Sequence, residues 1–369
     1  MADKNVHEKL LVSEPHSGCP ITGISGYIGF QTLTLALERG YHVRAIVRKS
    51  LDIENLKKSP LIATSLQQER LEIITVPDFF QKDAFFECLN GIHVIIHLAS
   101  PLALETDDYD ADIVKPAVSM VTTVLEAASR TSSVRRVILT SSCVTLIPFE
   151  WNMAPDSEEL YNVNDVNTSV EGPFQGPMQA YWASKALARN ATKTFVQDKK
   201  PQFDFVGLLP SVVIGPDHRL DFDSSATEDS LLQGARASVL ACALTSAHNS
   251  SFPYVGTPVH VADVARAHVD AIDAQRVPGN SEFILSSDTP DGVVWNRDVQ
   301  DICKKNFSEE VSSGLLPLEG SLTTVKWRLD VKETEEALGW QFTSFAQTMR
   351  DLISQYLRLR RGSQKLPVT

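Results

Sequence analysis

A tyrosine and a lysine stand four positions apart in the segment YWASK, at Tyr181 and Lys185. If this segment is helical, the two side chains share one face, because residues four apart are neighbours on a helix surface. A tyrosine hydroxyl ordinarily has a pKa of about 10, which is too high for easy proton exchange at neutral pH. A neighbouring ammonium favours the phenolate, so we expect Lys185 to lower the pKa of Tyr181 and make it a usable general acid or base.

Two serines precede this pair, at the end of the apolar run RRVILTS (135–141). If the run is a parallel strand, they lie at its carboxyl end, where open α/β sheets bind ligands. A hydroxyl there can hold a substrate oxygen on which negative charge develops. Ser142 is our candidate for this role and Ser141 is the alternative. Cys143, next in the chain, is either a thiol sensitive to reagents or an inert apolar filler.

A loop near the amino terminus carries three glycines at three-residue spacing. Glycine permits a tight turn and a close approach of backbone N–H groups, and a following helix then points its N-terminus at a phosphate. A helical pattern (30–40) and an apolar strand pattern (41–47) follow the loop, as a dinucleotide-binding βαβ unit requires. We therefore expect cofactor contacts from Thr22, Gly23, Ser25, Gly26, Tyr27, Ile28 and Gly29.

The residues after the second strand pattern indicate which dinucleotide is bound. A carboxylate at this position binds a ribose 2′-hydroxyl and favours NAD, whereas cations suit a 2′-phosphate. This chain has Arg48 and Lys49 there. The sequence therefore predicts NADPH/NADP⁺ as the cofactor, and the alternative is a solvated basic turn.

The segment before the glycine loop contains Pro20, where a buried strand is expected. Proline cannot donate a hydrogen bond to a sheet ladder. The stretch KLLV (9–12) would form a regular first strand if it ran directly into residues 21–23, so residues 13–20 look like an insertion. We expect either an irregular strand with a bulge or a mis-set exon boundary.

Short apolar runs alternate with helical patterns along the chain. Continuously apolar strands separated by helices are typical of a parallel sheet that is buried on both faces. The predicted fold class is α/β, a Rossmann-type doubly wound parallel sheet with a smaller, mostly helical substrate-binding lobe. The predicted strands are 41–47, 71–76, 93–99, 135–141, 203–210 and 281–287, and the helices include 30–40, 116–130, 230–244 and 344–359.

The same patterns predict how the chain is divided. Residues 1–16 form an N-terminal extension, and 361–369 form a tail. The NADP-binding Rossmann domain takes 17–212 and 258–287, and the substrate-binding lobe takes 213–257 and 288–360.

Bulk composition narrows the classes of function. The formal net charge of −12 argues against nucleic acid or an anionic membrane as a partner, because both attract basic surfaces. The five scattered cysteines contain no C-x-x-C pair, which favours a reducing compartment, and no histidine spacing indicates a metal site. No secretory signal or membrane span is evident. We expect a cytoplasmic monomer or homodimer without a metal, whose partner is a small carbonyl compound.

Taken in order, the motifs resemble those of extended short-chain dehydrogenases/reductases of the NAD-dependent epimerase/dehydratase superfamily. The branch they are most similar to holds dihydroflavonol 4-reductases, cinnamoyl-CoA reductases and fungal aldehyde/ketone reductases. The resemblance extends from about Ile21 to the end of the closing helix. It includes the glycine loop, Arg48, HLASP (97–101), TSS (140–142), YWASK (181–185), LPSVVIGP (209–216) and VHVADVARAH (259–268).

The resemblance implies roles for particular residues. Ser142, Tyr181 and Lys185 would be catalytic, with Tyr181 and Lys185 also touching the cofactor and Lys185 binding its ribose. Further cofactor contacts would come from the segment Pro210 to Val213 at the nicotinamide, from Asp78 near the adenine, and from Ala99, Ser100 and Pro101 along the cofactor.

The reaction implied is NADPH-dependent reduction of an aldehyde or ketone to an alcohol, with Tyr181 as general acid. The acidic segment 216–229 would repel the negative charges of a nucleotide-sugar pyrophosphate. We therefore expect the substrate to be a medium-sized, aromatic or polyketide-like carbonyl compound of secondary metabolism. The alternatives are an NAD-dependent epimerase/dehydratase or hydroxysteroid-type dehydrogenase, and a non-catalytic cofactor-sensing protein. The pocket residues we expect are Leu102, Phe149, Phe174, Met178, Trp182 and Ile214.

Overall fold

The computed structural model describes residues 19–81, 83–152 and 158–363. Within them, seven parallel strands form the central sheet in the order β11-β7-β5-β4-β1-β2-β3, and three two-stranded pairs accompany it (β8–β10, β9–β12 and β6–β13). The strands are β1 Cys19–Thr22, β2 Val43–Val47, β3 Leu71–Thr75, β4 Val94–His97, β5 Arg136–Thr140, β6 Leu160–Tyr161, β7 Asp204–Pro210, β8 Val212–Ile214, β9 Tyr254–Val255, β10 Pro258–His260, β11 Ser281–Leu285, β12 Thr324–Val325 and β13 Arg328–Leu329.

Helices connect and cover these strands. Those of the described residues are α1 Tyr27–Glu38, α2 Ser50–Leu56, α3 Pro60–Gln67, α4 Lys115–Arg130, α5 Pro177–Lys199, α6 Glu228–Leu231, α7 Gly234–Ala241, α8 Val261–Asp270, α9 Trp295–Asn306, α10 Ser308–Ser312, α11 Lys332–Leu338 and α12 Phe345–Ser363. Each of the six strands predicted from the sequence is present, with ends within two residues of the predicted ones. The doubly wound parallel α/β fold is thereby confirmed.

Successive residues of the central strands point to opposite faces of the sheet, and each face is covered. Ile96 and Ile138 pack with α1 and α8 on one face. Ile95 and Val137, one position earlier in the same two strands, pack with α4 on the other. This alternation explains why the central strands read as unbroken apolar runs, since both sets of side chains are buried.

The first strand accommodates Pro20 without a bulge. Its register with β2 advances one residue at a time, from Cys19 opposite Val43 to Thr22 opposite Ile46. The Cys19 N–H donates to the His42 carbonyl at 2.9 Å, on the β2 side. Because successive residues of a parallel strand direct their backbone groups to alternate neighbours, the N–H that proline lacks would face β4. Pairing with β4 accordingly begins only at Ile21. The expected irregularity is therefore wrong for residues 19–22, whereas 13–18, the KLLV stretch and the N-terminal extension lie outside the described residues.

A third apolar cluster lies beyond the carboxyl ends of the strands. It brings together α7, α9 and α12 with the small strand pairs. The helix predicted over 230–244 is divided here into α6 and α7, and Gly234 at the break has a φ of +53° that favours glycine. The closing helix continues to Ser363, three residues beyond the predicted end of the lobe. The domain boundaries themselves stay a prediction.

The described parts of the chain were also searched for other kinds of site. None of their helices is long and apolar enough to cross a bilayer. Over residues 19–81, 83–152 and 158–363, no group of three or more His, Cys, Asp or Glu side chains is arranged to hold a metal ion.

Candidate active site

Tyr181 and Lys185 lie on the first turns of α5, as their spacing predicts. The helix begins at Pro177, whose fixed φ and missing N–H suit a first helical position. The Lys185 ammonium nitrogen is 5.6 Å from the centroid of the Tyr181 ring. Lys185 is only 7% exposed, so its charge lies within the protein, directly beside the tyrosine.

The pKa of Tyr181 moves opposite to our expectation in the protein chain itself. Burial raises it to about 12, because a phenolate loses more solvation than a phenol when water is removed. Burial also lowers the pKa of Lys185, to about 8, for the converse reason. At neutral pH, Tyr181 is therefore protonated and Lys185 is still mostly charged.

Ser142 and Tyr181 line the same cavity, of about 450 Å³. Ser142 follows β5 and begins the single helical turn Cys143–Thr145, where its Oγ accepts from the Val144 N–H at 3.4 Å. Ser141 faces a separate small cavity of about 40 Å³ that Lys185 also lines. Of the two serines, Ser142 is thus the one that shares a cavity with the tyrosine.

The thiol of Cys143 is not placed to react. It is 1% exposed, and its Sγ–H donates to the Leu209 carbonyl at 3.0 Å. Burial raises its pKa, which leaves little of the nucleophilic thiolate. Of the two interpretations left open by the sequence, the structure favours the inert filler.

The large cavity is mainly aromatic and apolar. Leu102, Met178 and Trp182 line it as predicted. Phe149 stands edge-on behind Trp182, with ring centroids 5.2 Å apart. The predictions for two other residues are wrong: Phe174 packs instead with Ile113, Val114 and Ala180, and Ile214 is fully buried in the core.

Sequence reasoning missed three aromatic residues of this cavity, Phe252, Tyr254 and Trp327. Tyr254 belongs to β9, and Trp327 lies between β12, which pairs with β9, and β13. These short strands carry no sequence signal of their own. The cluster FPY (252–254) is the one local feature that could have indicated a wall of the cavity.

The glycine loop connects β1 to α1 in a tight turn. Gly23 has a φ of +75°, and its carbonyl accepts from the Gly26 N–H at 3.0 Å. A Cβ on Gly29 would lie 2.1 Å from the Gly23 oxygen, so only glycine fits there. Ile28, in the first turn of α1, packs against the apolar cluster that covers the α1 and α8 face of the sheet. The loop therefore has the compact shape that close approach to a pyrophosphate requires.

The base of the glycine loop is tied to β4 through the hydroxyl of Thr22. The Thr22 Oγ1 accepts from the Ala99 N–H at 3.2 Å and lies 2.8 Å from Nδ1 of His97. Burial, together with the charge of Lys185, lowers the pKa of His97 to about 3, so its ring is neutral. The Thr22 hydroxyl thereby joins the base of the glycine loop to His97 at the end of β4 and to Ala99 after it.

The remaining predicted cofactor residues follow the carboxyl ends of the strands. Arg48 and Lys49 are exposed after β2, and Asp78 follows β3, where its carboxylate accepts from the Phe80 N–H. Pro210 ends β7, and Val213 lies in β8 and lines the cavity. The predicted adenine and nicotinamide contacts thus fall at opposite ends of one edge of the sheet. The glycine loop and Ala99, Ser100 and Pro101 lie between these ends.

A seven-stranded parallel sheet with a glycine loop after its first strand, and a serine, a tyrosine and a lysine near its carboxyl edge, is the arrangement that we expected of an extended short-chain dehydrogenase/reductase. The sequence profile of the NAD dependent epimerase/dehydratase family matches residues 19–284. The chain belongs to this family.

Individual relatives agree with this assignment. The ketoreductase CTB6 of Cercospora beticola is 34% identical over 348 residues, covering 92% of this chain and 94% of that protein. A dihydroflavonol 4-reductase of Arabidopsis thaliana is 29% identical, covering 75% and 67% of the two chains. The yeast methylglyoxal/isovaleraldehyde reductase Gre2, solved with NADPH, has a TM-score of 0.73 at 23% identity, with 94% and 99% covered, and shares the fold.

Proposed function

We propose that this protein is an NADPH-dependent reductase that converts an aldehyde or ketone to an alcohol. The observation that carries the proposal is the shared cavity of Ser142 and Tyr181, with the ammonium of Lys185 beside the tyrosine ring. The relatives named as a ketoreductase and a dihydroflavonol 4-reductase support an oxidoreductase. NADPH is the proposed cofactor because Arg48 and Lys49 are exposed after β2, where a 2′-phosphate can be paired.

The residues fit a dinucleotide. The glycine loop is compact enough for phosphate approach, Val213 lines the cavity, and Pro210 ends β7 three residues earlier. NADPH supplies the hydride when it is bound. The substrate carbonyl oxygen would accept hydrogen bonds from Ser142 and Tyr181, and Tyr181 would give up its hydroxyl proton as charge develops there.

Burial and the charge of Lys185 act on the Tyr181 hydroxyl in opposite directions. Burial raises the pKa of Tyr181 to about 12, which keeps the hydroxyl protonated at neutral pH but makes it a weaker acid than a free tyrosine. The nearby positive charge of Lys185 would stabilise the phenolate left after donation. Because stabilising the phenolate lowers the free energy of proton donation, Lys185 would assist the donation that burial opposes.

The walls of the cavity indicate the class of substrate. Trp182 and Trp327 meet edge to face at 5.4 Å, and Phe252 and Tyr254 stand against each other at 6.3 Å. Aromatic walls of this kind favour flat, apolar molecules. We propose a medium-sized aromatic or polyketide-like carbonyl compound.

The test pairs two tyrosine variants with one panel of aromatic ketones and aldehydes. Tyr181→Phe should abolish NADPH oxidation while the quenching of tryptophan fluorescence by NADPH stays close to wild type. Tyr254→Phe, which removes a hydroxyl from the same cavity, should retain turnover. Turnover by Tyr181→Phe would remove Tyr181 from the proposed role, and failure of the wild type to bind NADPH would refute the proposed function.

A further inference from the structure

A buried carboxylate holds two guanidinium groups beside the glycine loop. Asp217 is 1% exposed, and it accepts from Arg219 through both oxygens, at 2.8 and 2.6 Å. Its Oδ2 also lies 3.0 Å from Nη1 of Arg236. Burial by itself would raise the pKa of Asp217, but the hydrogen bonds and charge of Arg219, with the charge of Arg236, hold it below its ordinary value. Two cations and one anion leave this cluster with a net positive charge.

Both arginines reach the glycine loop from a distant part of the chain. Arg219 donates through Nη1 to the Ser25 carbonyl at 2.8 Å. The Arg236 guanidinium carbon lies 4.0 Å from the centroid of the Tyr27 ring, and the Tyr27 hydroxyl donates to the Gly215 carbonyl at 2.8 Å. The cluster therefore adjoins the first turn of α1, where backbone N–H groups and the helix dipole favour an anion.

One buried nitrogen of the cluster, Nη1 of Arg236, lacks a well-aligned hydrogen bond to any described residue. Arg236 is only 4% exposed, and its Nε donates to the Leu231 carbonyl at 3.1 Å. Within residues 19–81, 83–152 and 158–363, its Nη1 makes no aligned hydrogen bond, although it stands at ion-pair distance from Asp217. A buried guanidinium N–H without an acceptor is costly and calls for a partner. A phosphate oxygen bound at the glycine loop is a suitable acceptor, since arginine matches phosphate geometry.

We propose that Arg236, oriented by Asp217 and assisted by Arg219, binds the pyrophosphate of the dinucleotide. The inference rests on the proposed function, because it assumes that a dinucleotide occupies the loop. It adds a cation from the segment after β8 to the backbone N–H groups of the loop. Because the pyrophosphate is common to NADPH and NADH, Arg236 should strengthen the binding of both equally, whereas Arg48 should act on the 2′-phosphate alone.

The experiment compares Arg236→Met with Arg48→Met in the full chain. Methionine keeps an apolar stem against Tyr27 and removes the charge. Fluorescence titration should show Arg236→Met binding NADPH and NADH more weakly by the same factor, about 10- to 100-fold. Arg48→Met should weaken the binding of NADPH far more than the binding of NADH. Adenosine 2′-monophosphate, which lacks the pyrophosphate, should lose affinity only in Arg48→Met.

If Arg236 has only a structural role, the titrations should give a different pattern of affinities. Unchanged binding of both dinucleotides by Arg236→Met would overturn the inference and leave the proposed function standing. Loss of adenosine 2′-monophosphate binding in that variant would also overturn it, because the whole site would then be disturbed. If Arg236→Met does not fold, Arg219→Gln, at a partly exposed side chain, should weaken both dinucleotides equally, and unequal or absent losses would contradict the role. Wild-type protein that binds neither dinucleotide would refute the proposed function itself.

Discussion

Replacing Lys185 by methionine should make the protein more stable at neutral pH while removing its activity. The side chain is 7% exposed, and burial lowers its pKa from 10.5 to about 8. At 1.36 kcal/mol for each pH unit, holding this charge in the folded protein costs about 3 kcal/mol at pH 7. Methionine has a similar length and no charge. The adjoining cavity of about 40 Å³ can hold a water molecule, so about 3 kcal/mol is an upper value.

Because the pKa of Lys185 is lower in the folded protein than in the unfolded chain, the stability gained by Lys185→Met depends on pH. Between pH 8 and 10.5 the unfolded chain binds the Lys185 proton more tightly than the folded protein does, so wild-type stability rises with pH in this window. Above 10.5 neither state carries the proton and the penalty is absent. The advantage of Lys185→Met should therefore be largest below pH 8 and fall below about 1 kcal/mol at pH 10.

Urea unfolding of both proteins at pH 7 and pH 10, with turnover measured beside it, provides the assay. Lys193→Met is the matched control, because this lysine lies on the same helix with its side chain 42% exposed and pairs with Glu282. No gain in stability is expected from it. A stability difference for Lys185→Met that is absent at pH 7, or unchanged between the two pH values, would refute the argument that the Lys185 charge is buried. Full turnover by Lys185→Met would refute its proposed catalytic role.

Two further predictions concern the proposed cofactor site. Arg48→Glu should weaken the binding of NADPH far more than that of NADH, because a carboxylate repels a 2′-phosphate and accepts a hydrogen bond from a 2′-hydroxyl. Equal losses of affinity in parallel titrations would contradict the assignment of NADPH. Gly29→Ala should abolish binding of both dinucleotides, since its Cβ would lie 2.1 Å from the Gly23 oxygen and force the loop open. Gly362→Ala is the control for that change, because this glycine lies in α12 without a positive φ and its Cβ would meet no described atom within 4 Å; cofactor affinity should survive it.

Local patterns were sufficient for the regular parts of this protein. Apolar runs such as 135–141 are buried on both faces of the sheet, so their composition alone indicated parallel strands. The spacing of Tyr181 and Lys185 placed them on one helix face without any knowledge of the tertiary structure. The case of Pro20 shows the limit, because a missing N–H is harmful or harmless depending on which neighbouring strand it faces.

The sequence by itself thus determined the fold class, the glycine loop and the candidate Ser–Tyr–Lys set, because each depends on residues close together in the chain. The tertiary structure alone decided which serine shares a cavity with Tyr181, and it alone brought Phe252, Tyr254 and Trp327 to that cavity. It also reversed the expected pKa of Tyr181 and carried Arg219 and Arg236 to the glycine loop. Solvation and contacts between distant segments exist only in the folded chain, and no spacing along the sequence encodes them.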